Sequence, residues 1–281
     1  MNQKLAIITG ADGGMGTEIT RAVASAGYKI VMACRDPQSG EKKRQMLMQE
    51  TGNTAIEVLP IDLASLSSVA AFADKLLQRG EKVALLMNNA GTLETARRIT
   101  EDGLERTVSV NYVGPYLLTR KLLPLMGEGS RIVNMVSCTY AIGKLDFPDF
   151  FQRGRKGAFW RIPIYGNTKL ALLLFTLSLA ERVKQQGITV NAADPGIVST
   201  PIITMHMWFD PLTDIFFRPF IRTPRQGAST AIGLLLDEEA GGRTGTFNLS
   251  NHPKALSSKY TAHKQMQQLW EETERIVAKF L

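Results

Sequence analysis

Two side chains with acid–base capacity stand four residues apart, because a Y-x-x-x-K segment runs from Tyr165 to Lys169. In a helix, residues at i and i+4 share one face, so the phenol and the ammonium would lie together. A free tyrosine has a pKa of about 10 and is a poor acid or base at neutral pH. A neighbouring cation favours the phenolate, so we expect Lys169 to help lower the pKa of Tyr165 by about 2–3 units. The spacing predicts a proton-transfer pair.

A glycine-rich turn near the N-terminus has the composition of a phosphate site. The pattern T-G-x-x-x-G-x-G begins at Thr9, directly after a short apolar run and before a helical pattern. Glycines there permit a tight turn and a close approach to a pyrophosphate, and the helix N-terminus offers unpaired N–H groups. The residues predicted to contact a bound dinucleotide here are Gly10, Asp12, Gly14, Met15 and Gly16.

Alternating strand and helix patterns must position these two features. Short apolar runs predict strands at residues 4–9, 29–33, 55–60, 83–87, 132–136 and 188–193, with a seventh at 246–249. Helical patterns lie between them, at about 14–26, 36–52, 66–78 and 165–185. This order predicts an α/β Rossmann fold with a doubly wound parallel sheet of about seven strands and helices on both faces. Ligands bind beyond the carboxyl ends of such strands.

Further motifs follow the predicted strands in order. Asn88-Asn89-Ala90-Gly91 follows the fourth strand, Ser137 the fifth and Asp194-Pro195-Gly196 the sixth. Together with the glycine pattern and Y-x-x-x-K, this series resembles the short-chain dehydrogenase/reductase family over residues 5–249. The resemblance implies a single dinucleotide-binding domain over residues 1–281, with a substrate lid at about 198–225 and a C-terminal helix at about 261–281.

The resemblance assigns the catalytic residues. Tyr165 would act as the acid or base, with Lys169 also holding the nicotinamide ribose. Ser137 would hydrogen-bond the substrate oxygen and stabilise negative charge that develops there. Asn111 would hold a water beside Lys169 and complete a proton relay. The reaction implied is hydride transfer between nicotinamide and a carbonyl or alcohol carbon.

The resemblance also assigns contacts to the dinucleotide. Asp62 would contact the adenine ring, although an aspartate there could instead cap the next helix, for which Ser65 is also well placed. The segment after the sixth strand would grip the nicotinamide carboxamide and fix pro-S transfer. The cofactor residues implied, besides those of the glycine turn, are Arg35, Asp62, Leu63, Asn89, Ala90, Gly91, Tyr165, Lys169, Pro195, Gly196, Val198 and Thr200.

The end of the second strand bears on which nicotinamide cofactor binds. An acidic residue there would bind the ribose 2′-hydroxyl and repel a 2′-phosphate. This chain has the uncharged Cys34, followed by Arg35, whose guanidinium suits a phosphate. We therefore expect NADP(H) to be preferred to NAD(H), although Arg35 could instead be a surface residue paired with Asp36. The basic residue that some NADP-preferring relatives carry in the glycine turn is replaced here by Gly13.

Apolar side chains surround the predicted catalytic residues. The insert at residues 140–164 and the predicted lid are rich in aromatic residues and methionine, which suits a bulky apolar substrate that is steroid-, retinoid- or lipid-like. The insert and the second strand end resemble the retinol dehydrogenase-like branch of the family, which includes relatives of protochlorophyllide reductase. Reduction of an activated C=C bond and a non-enzymatic NADP(H)-sensing or scaffold role are the alternatives.

Composition restricts the remaining function classes. The 281 residues carry a net charge of +7, but the positive charges are scattered, which argues against nucleic acid as a partner. The histidines lack metal-ligand spacing, and Cys34 and Cys138 are expected to be buried, reduced thiols. No signal peptide or transmembrane segment is apparent, so a cytoplasmic location is expected, with peripheral membrane contact through the lid as an alternative. The family resemblance implies a homodimer or homotetramer.

Overall fold

The computed structural model describes residues 3–151, 157–198 and 222–281. Its strands form one eight-stranded sheet in the order β3-β2-β1-β4-β5-β6-β7-β8, and seven of them run parallel. The strands are β1 Leu5–Thr9, β2 Lys29–Cys34, β3 Ile56–Pro60, β4 Val83–Asn88, β5 Arg131–Met135, β6 Thr189–Asp194, β7 Phe247–Leu249 and β8 His252–Lys254. The predicted doubly wound α/β class is confirmed.

Helices cover both faces of this sheet. They are α1 Gly14–Ser25, α2 Pro37–Thr51, α3 Leu66–Arg79, the single turn α4 Arg106–Val108, α5 Gly114–Leu122, α6 Arg161–Val183, α7 Pro224–Leu236, α8 Ser258–Thr261 and α9 Met266–Val277. A π-helical turn, Ser109–Val113, joins α4 to α5. The chain crosses from strand to helix and back, which is the connection that parallel strands require.

The prediction of about seven strands is short by one. β8 pairs antiparallel with β7 at the edge of the sheet, and Leu249 lies opposite His252. All three residues of β8 are exposed and Pro253 stands at its centre, so the segment carries no apolar signal. Ser250 and Asn251 adopt positive φ angles of 52° and 68° in the tight turn between the two strands.

Alternating side chains of the parallel strands build the two halves of the core. In β1, Leu5 and Ile7 pack into the half covered by α3, α5, α6 and α9, whereas Ala6 and Ile8 pack into the half covered by α1, α2 and α7. The period of two is the pleat of a strand, and burial on both faces explains why the strands read as continuous apolar runs.

The helix termini follow local sequence signals. Ser65 caps α3 by accepting a hydrogen bond from the Ser68 N–H, as the sequence suggested. Asp36 caps α2 through the Gln38 N–H, and the helix ends at Gly52 with φ 71°. The predicted 36–52 helix is therefore correct within one residue at each end.

Helix α6 begins four residues before Tyr165, so the prediction of a helix starting at that residue was wrong. Pro163 lies in its first turn, where a missing N–H costs nothing. Within the described residues, Arg161–Gln186 is the one helical stretch long and apolar enough to cross a membrane. In this fold it is a core helix, and 67% of its most apolar window is buried.

Part of the predicted substrate-side structure lies outside the described residues. Most of the predicted lid, residues 199–221, is in this category, as are residues 152–156 of the insert. The C-terminal end of the predicted lid was placed too late, because Thr223 caps α7 and the helix starts at Pro224. In the insert, Phe150 and Phe151 are buried in the core, whereas Trp160 is 70% exposed.

Candidate active site

The motif-bearing residues meet along the carboxyl ends of the central strands. A cleft of about 260 Å³ lies there, at the point where strand order reverses beside β1. It is lined by Thr9, Gly10, Asp12, Ala33, Arg35, Asp36, Ile61, Asp62, Leu63, Ala90, Gly91, Thr92 and Val110. Seven of the predicted cofactor residues are in this lining, so the structure brings most of the nucleotide half of the predicted site together.

The glycine turn forms a cradle that side chains would fill. A Cβ atom on Gly16 would lie 2.0 Å from the Gly10 carbonyl oxygen, and Gly10 itself has φ 60°. Helix α1 begins at Gly14, which is exposed, and its N-terminus has no side-chain cap and no acidic residue in its first turn. Free N–H groups at a helix N-terminus bind anions, so these residues fit a dinucleotide pyrophosphate.

The end of β2 carries the two residues from which the cofactor preference is predicted. Arg35 is exposed and lines the cleft, while Cys34 is fully buried. Burial and the nearby Asp12 carboxylate raise the pKa of the Cys34 thiol to about 12, so it stays neutral. Asp36, the alternative partner of Arg35, uses its carboxylate to cap α2. The last residue of β2 is therefore uncharged, although the carboxylates of Asp12 and Asp36 also line the cleft.

The N-N-A-G segment ties the cleft to the sheet. The Asn88 amide donates to Thr119 Oγ1 at 2.9 Å and to Asn134 Oδ1 at 2.8 Å. The Asn89 amide donates to the carbonyl oxygens of Thr9 and Gly10 at 3.0 and 3.2 Å. Asn89 therefore fixes the glycine turn, and its own buried Oδ1 has no hydrogen-bond donor among the described residues.

Asp62 and Leu63 form the far wall of the cleft. The Asp62 carboxylate accepts from the Ala64 N–H at 2.9 Å, and Ser65 rather than Asp62 caps α3. Leu63 is buried, and its carbonyl oxygen accepts from the Ser109 hydroxyl. Both residues lie where a nucleoside bound in the cleft would meet them.

The predicted catalytic residues lie together at the opposite end of the cleft. The Ser137 hydroxyl, directly after β5, lies beside the Tyr165 phenol and favours its ionised form. The Lys169 ammonium lies 5.3 Å from the centroid of the Tyr165 ring. A Cβ atom placed on Gly91, which lines the cleft, would be 3.7 Å from Lys169 Nζ. The proton-transfer pair therefore borders the nucleotide cleft.

Burial dominates the electrostatics of the pair. The pKa of Tyr165 is raised well above its usual value, chiefly by burial and then by the charge of Asp194, and the Ser137 hydroxyl opposes this only in part. Lys169 is 3% exposed, and burial lowers its pKa to about 8. Its Nζ donates to the Met135 carbonyl oxygen at 2.9 Å. Burial and then Asp194 therefore set the pKa of Tyr165 in this structure, and the lowering expected from Lys169 together with a positively charged nicotinamide ring stays a prediction.

Asn111 lies in the π-helical turn beside this pair. Its Oδ1 accepts from the Thr92 N–H at 2.8 Å, and its amide donates to the Thr92 carbonyl oxygen and to Thr168 Oγ1. The side chain thus links the loop after β4 to α6. A Cβ atom on Gly91 would be 3.4 Å from Asn111 Oδ1, so Asn111 also borders the cleft.

The segment after β6 closes the nicotinamide end of the predicted site. Gly196 has φ 72°, and Arg222 donates to the Pro195 carbonyl oxygen at 3.3 Å. Val198 is buried and pairs with Arg222 in an isolated parallel bridge. Thr200 lies outside the described residues. Met15 is directed away from the nucleotide cleft, with its sulfur beside Gly227 of α7.

Two residues were misjudged or overlooked from the sequence. Cys138 is a free but exposed thiol rather than a buried one, because it begins a short 3₁₀ turn after the strand has ended. Asp194 received no role, yet it is a 1% exposed carboxylate beside Tyr165 and Lys169. The sequence could have indicated a role for Asp194, since its carboxylate stands at the carboxyl end of a predicted strand, where parallel sheets bind ligands.

Comparison with known proteins agrees with this geometry. The short chain dehydrogenase family profile matches residues 4–148 and 152–206. Retinol dehydrogenase 12 of Mus musculus is 35% identical over 95% of this chain and 84% of its own length. The crystal structure of an uncharacterized protein from Mycobacterium Paratuberculosis superimposes with a TM-score of 0.78 at 26% identity, covering 98% of this chain and 94% of that one. A blue fluorescent protein from a metagenomic library, solved in complex with NADPH, gives 0.69 at 25% identity, covering 88% and 96%.

The fold and the site define an NAD(P)-dependent oxidoreductase that acts on CH–OH or C=O groups. The chain belongs to the short-chain dehydrogenase/reductase family.

Proposed function

We propose that this protein is an NADPH-dependent reductase of carbonyl groups on bulky, apolar, retinoid-like molecules. The observation that carries the proposal is the Ser137–Tyr165–Lys169 cluster bordering a dinucleotide cleft that has Arg35 at its far end. Retinol dehydrogenase 12, at 35% identity, supports the substrate class.

The preference for NADPH is inferred from the charge at the end of β2. A 2′-phosphate in the cleft would meet the exposed Arg35 guanidinium, which can bind it through two parallel hydrogen bonds. Cys34 stays neutral and buried beside it, so the last residue of the strand adds no negative charge of its own. The relative of 25% identity that was solved with NADPH supports this choice.

The direction of the reaction is inferred from the state of Tyr165. When bound in this cleft, a reduced nicotinamide supplies the hydride. Because its pKa is raised, Tyr165 is protonated at neutral pH and donates its proton to the carbonyl oxygen. Ser137 can donate a hydrogen bond to the same oxygen as charge develops on it. Lys169 then lies beside the phenolate left by proton transfer and stabilises it.

The apolar character of the substrate is inferred from the surface beside this cluster. A groove of about 380 Å³ follows the first turns of α6, and Ile142 and Trp160 line it while remaining 56% and 70% exposed. Ile162, in the first turn of α6, is a further apolar side chain that is 46% exposed. Large exposed apolar side chains that lie together mark binding surfaces.

The test compares cofactors and substrates directly. NADPH and NADH oxidation would be measured with a panel of aromatic, retinoid and steroid aldehydes and ketones, next to polar sugars of similar size. We expect turnover with the apolar set, and a kcat/KM for NADPH at least ten times that for NADH. Arg35→Ala should weaken NADPH about tenfold or more and leave NADH nearly unchanged, since a hydrogen bond to a charged group contributes about 1.5–3 kcal/mol.

The matched control is Lys42→Ala, which removes an exposed charge from α2. Equal loss of NADPH affinity in both variants would mean that net charge, rather than Arg35, sets the preference. Absence of turnover with every apolar carbonyl, combined with turnover of the polar set, would contradict the proposed substrate class.

A further inference from the structure

A buried carboxylate stands in the catalytic cluster without an assigned role. Asp194 is the last residue of β6 and is 1% exposed. Its Oδ1 accepts from the Gly196 N–H at 2.8 Å. A carboxylate withdrawn from water is costly unless it is both hydrogen-bonded and charge-compensated. One backbone hydrogen bond alone does not explain why the chain places a charge here.

The sheet register brings this carboxylate to the acceptor of Lys169. Met135, whose carbonyl oxygen receives the hydrogen bond from Lys169 Nζ, is paired across the sheet with Ala193. The Val136 N–H then donates to the Ala193 carbonyl oxygen at 2.9 Å. Asp194 therefore lies one residue beyond the Met135–Ala193 pair, on a strand whose spacing from β5 is about 4.8 Å.

Lys169 is likewise a buried charged group with little charge compensation. Its side chain is 3% exposed, and its hydrogen bond goes to a neutral carbonyl oxygen, which compensates an ammonium poorly. Burial alone favours the neutral amine. The charge of Asp194 acts in the opposite direction and favours the ammonium.

Other charged and titratable groups face the same cluster. Lys169 and then Arg222 and Lys254 stabilise the Asp194 carboxylate, although burial outweighs them and raises its pKa. The negative charge of Asp194 also opposes ionisation of Tyr165 on α6 and of Tyr140 on the 3₁₀ turn after β5. Cys138, on the same turn, and Tyr260, on α8, lie in the same surroundings.

We propose that Asp194 is a positioning residue that acts through Lys169: its buried carboxylate keeps Lys169 charged and keeps Tyr165 protonated, so that the site rests in its proton-donating form. The statement about Tyr165 rests on the proposed reductase function. The statement about Lys169 does not, and it can be tested in the protein without cofactor or substrate.

The direct test is a titration of Lys169 by NMR. Protein labelled with ¹³C-lysine would be titrated in wild type and in Asp194→Asn, and the Lys169 Cε signal would be assigned by its absence in Lys169→Met. Asparagine keeps an oxygen that can accept from the Gly196 N–H but carries no charge. We expect the Lys169 titration midpoint, about 8 in wild type, to fall by about one pH unit or more in Asp194→Asn.

A second comparison separates the charge from the hydrogen bond. Asp194→Ala removes both, so the charge proposal predicts the same downward shift in Asp194→Ala as in Asp194→Asn. A shift in the alanine variant alone would overturn it and reduce Asp194 to a brace for the turn after β6. The matched control, Asp74→Asn, removes a half-exposed carboxylate that pairs with Lys121 at 2.9 Å and should leave Lys169 unchanged.

A reciprocal measurement guards against a variant that fails to fold. If Asp194→Asn is not folded, the Asp194 carboxylate is titrated in wild type and in Lys169→Met. Loss of the ammonium should raise the midpoint of Asp194, because Lys169 is the largest of the charges that stabilise the carboxylate. An unchanged midpoint would overturn the proposal.

The kinetic consequence distinguishes this inference from the proposed function. For carbonyl reduction, the alkaline limb of the kcat/KM–pH profile should move to lower pH in Asp194→Asn, since Lys169 and Tyr165 both lose their protons earlier. Absence of reductase activity in wild type would refute the proposed function while the NMR shift still stood. If the titration midpoint of Lys169 shifts but the alkaline limb of the kcat/KM–pH profile does not, the role of Asp194 is confined to the protein without cofactor and substrate.

Discussion

At the scale of single residues, desolvation decides the properties of the candidate active site. Burial shifts both Tyr165 and Lys169 towards their neutral forms, and Asp194 reinforces this for the phenol while opposing it for the amine. A tyrosine that resists ionisation carries its proton at neutral pH, which is the form that carbonyl reduction starts from. The residue types alone predicted the pair, but they could not predict the sign of the pKa shift, which depends on burial.

The role of the Ser137 hydroxyl can be tested by a single substitution. Ser137→Ala removes the hydroxyl beside the Tyr165 phenol and with it the donor available to a carbonyl oxygen. Loss of one such donor lowers kcat by about 10²–10³. We expect that loss in carbonyl reduction, with NADPH affinity within threefold of wild type by fluorescence titration. Cys138→Ala, at the exposed neighbouring position, should lose less than threefold in kcat. Comparable losses in both variants would assign the effect to the loop rather than to the hydroxyl.

At the scale of secondary-structure elements, the glycine turn and helix α1 depend on the close approach of Gly16 to the Gly10 carbonyl oxygen. Gly16 is fully enclosed by backbone, since any Cβ would lie 2.0 Å from the Gly10 carbonyl oxygen and 2.9 Å from the Ala11 Cα. The turn is held from outside by Asn89, so it has little freedom to move away. The same approach that excludes a side chain leaves room for a phosphate.

The substitution Gly16→Ala tests this contact. We expect a loss of about 1–3 kcal/mol in the free energy of unfolding, because well-packed backbone must shift. NADPH binding should weaken more than tenfold as the cradle distorts. Gly127→Ala is the matched control, since a Cβ there meets nothing within 4 Å, and it should change the free energy of unfolding by less than about 0.5 kcal/mol. Urea unfolding and fluorescence titration measure both effects, and near-identical behaviour of the two variants would contradict the cradle geometry.

Sequence patterns predicted the elements that carry long apolar or capping signals. The first strand, the first helix and the 36–52 helix are correct within a residue or two, because strand burial and caps leave local marks. β8 was missed, since three exposed residues carry no apolar period. The start of α6 was placed four residues too late, because the apolar pattern used to predict the helix is clear only after its first turn. The placement of Asp194 beside Lys169 follows from strand register, which a single sequence does not encode locally.

At the scale of the whole molecule, the C-terminal helix completes the core. The prediction of one helix over 261–281 was too long at its start, because the chain first forms the short α8 and then α9. α9 packs on α5 and α6 of its own chain. Tyr112 and Thr273 share a hydrogen bond of 2.8 Å, and the Tyr116 hydroxyl donates to Glu274. The predicted dimer or tetramer would therefore use faces other than this one.

Trp270 is the centre of that contact. It is 9% exposed, its ring lies 5.2 Å from Tyr116 and 5.9 Å from Phe175, and the Arg182 guanidinium covers it at 4.1 Å. Trp270→Ala should cost about 3–5 kcal/mol in the free energy of unfolding, measured with urea. Trp160→Ala makes the same chemical change at a 70% exposed position and should cost less than about 0.5 kcal/mol. Equal costs would show that α9 does not pack as described.

In the proposed reduction, Tyr165 gives a proton to a substrate carbonyl beside a bound nicotinamide, and Tyr165→Phe removes that proton. The phenylalanine ring keeps the packing and removes only the hydroxyl. The measurement is steady-state reduction of an apolar aldehyde or ketone by NADPH, together with NADPH affinity by fluorescence. If Tyr165 is the proton donor, we expect kcat to fall by about 10³ or more while NADPH affinity stays within threefold of wild type. A variant that retains kcat within tenfold of wild type would contradict it.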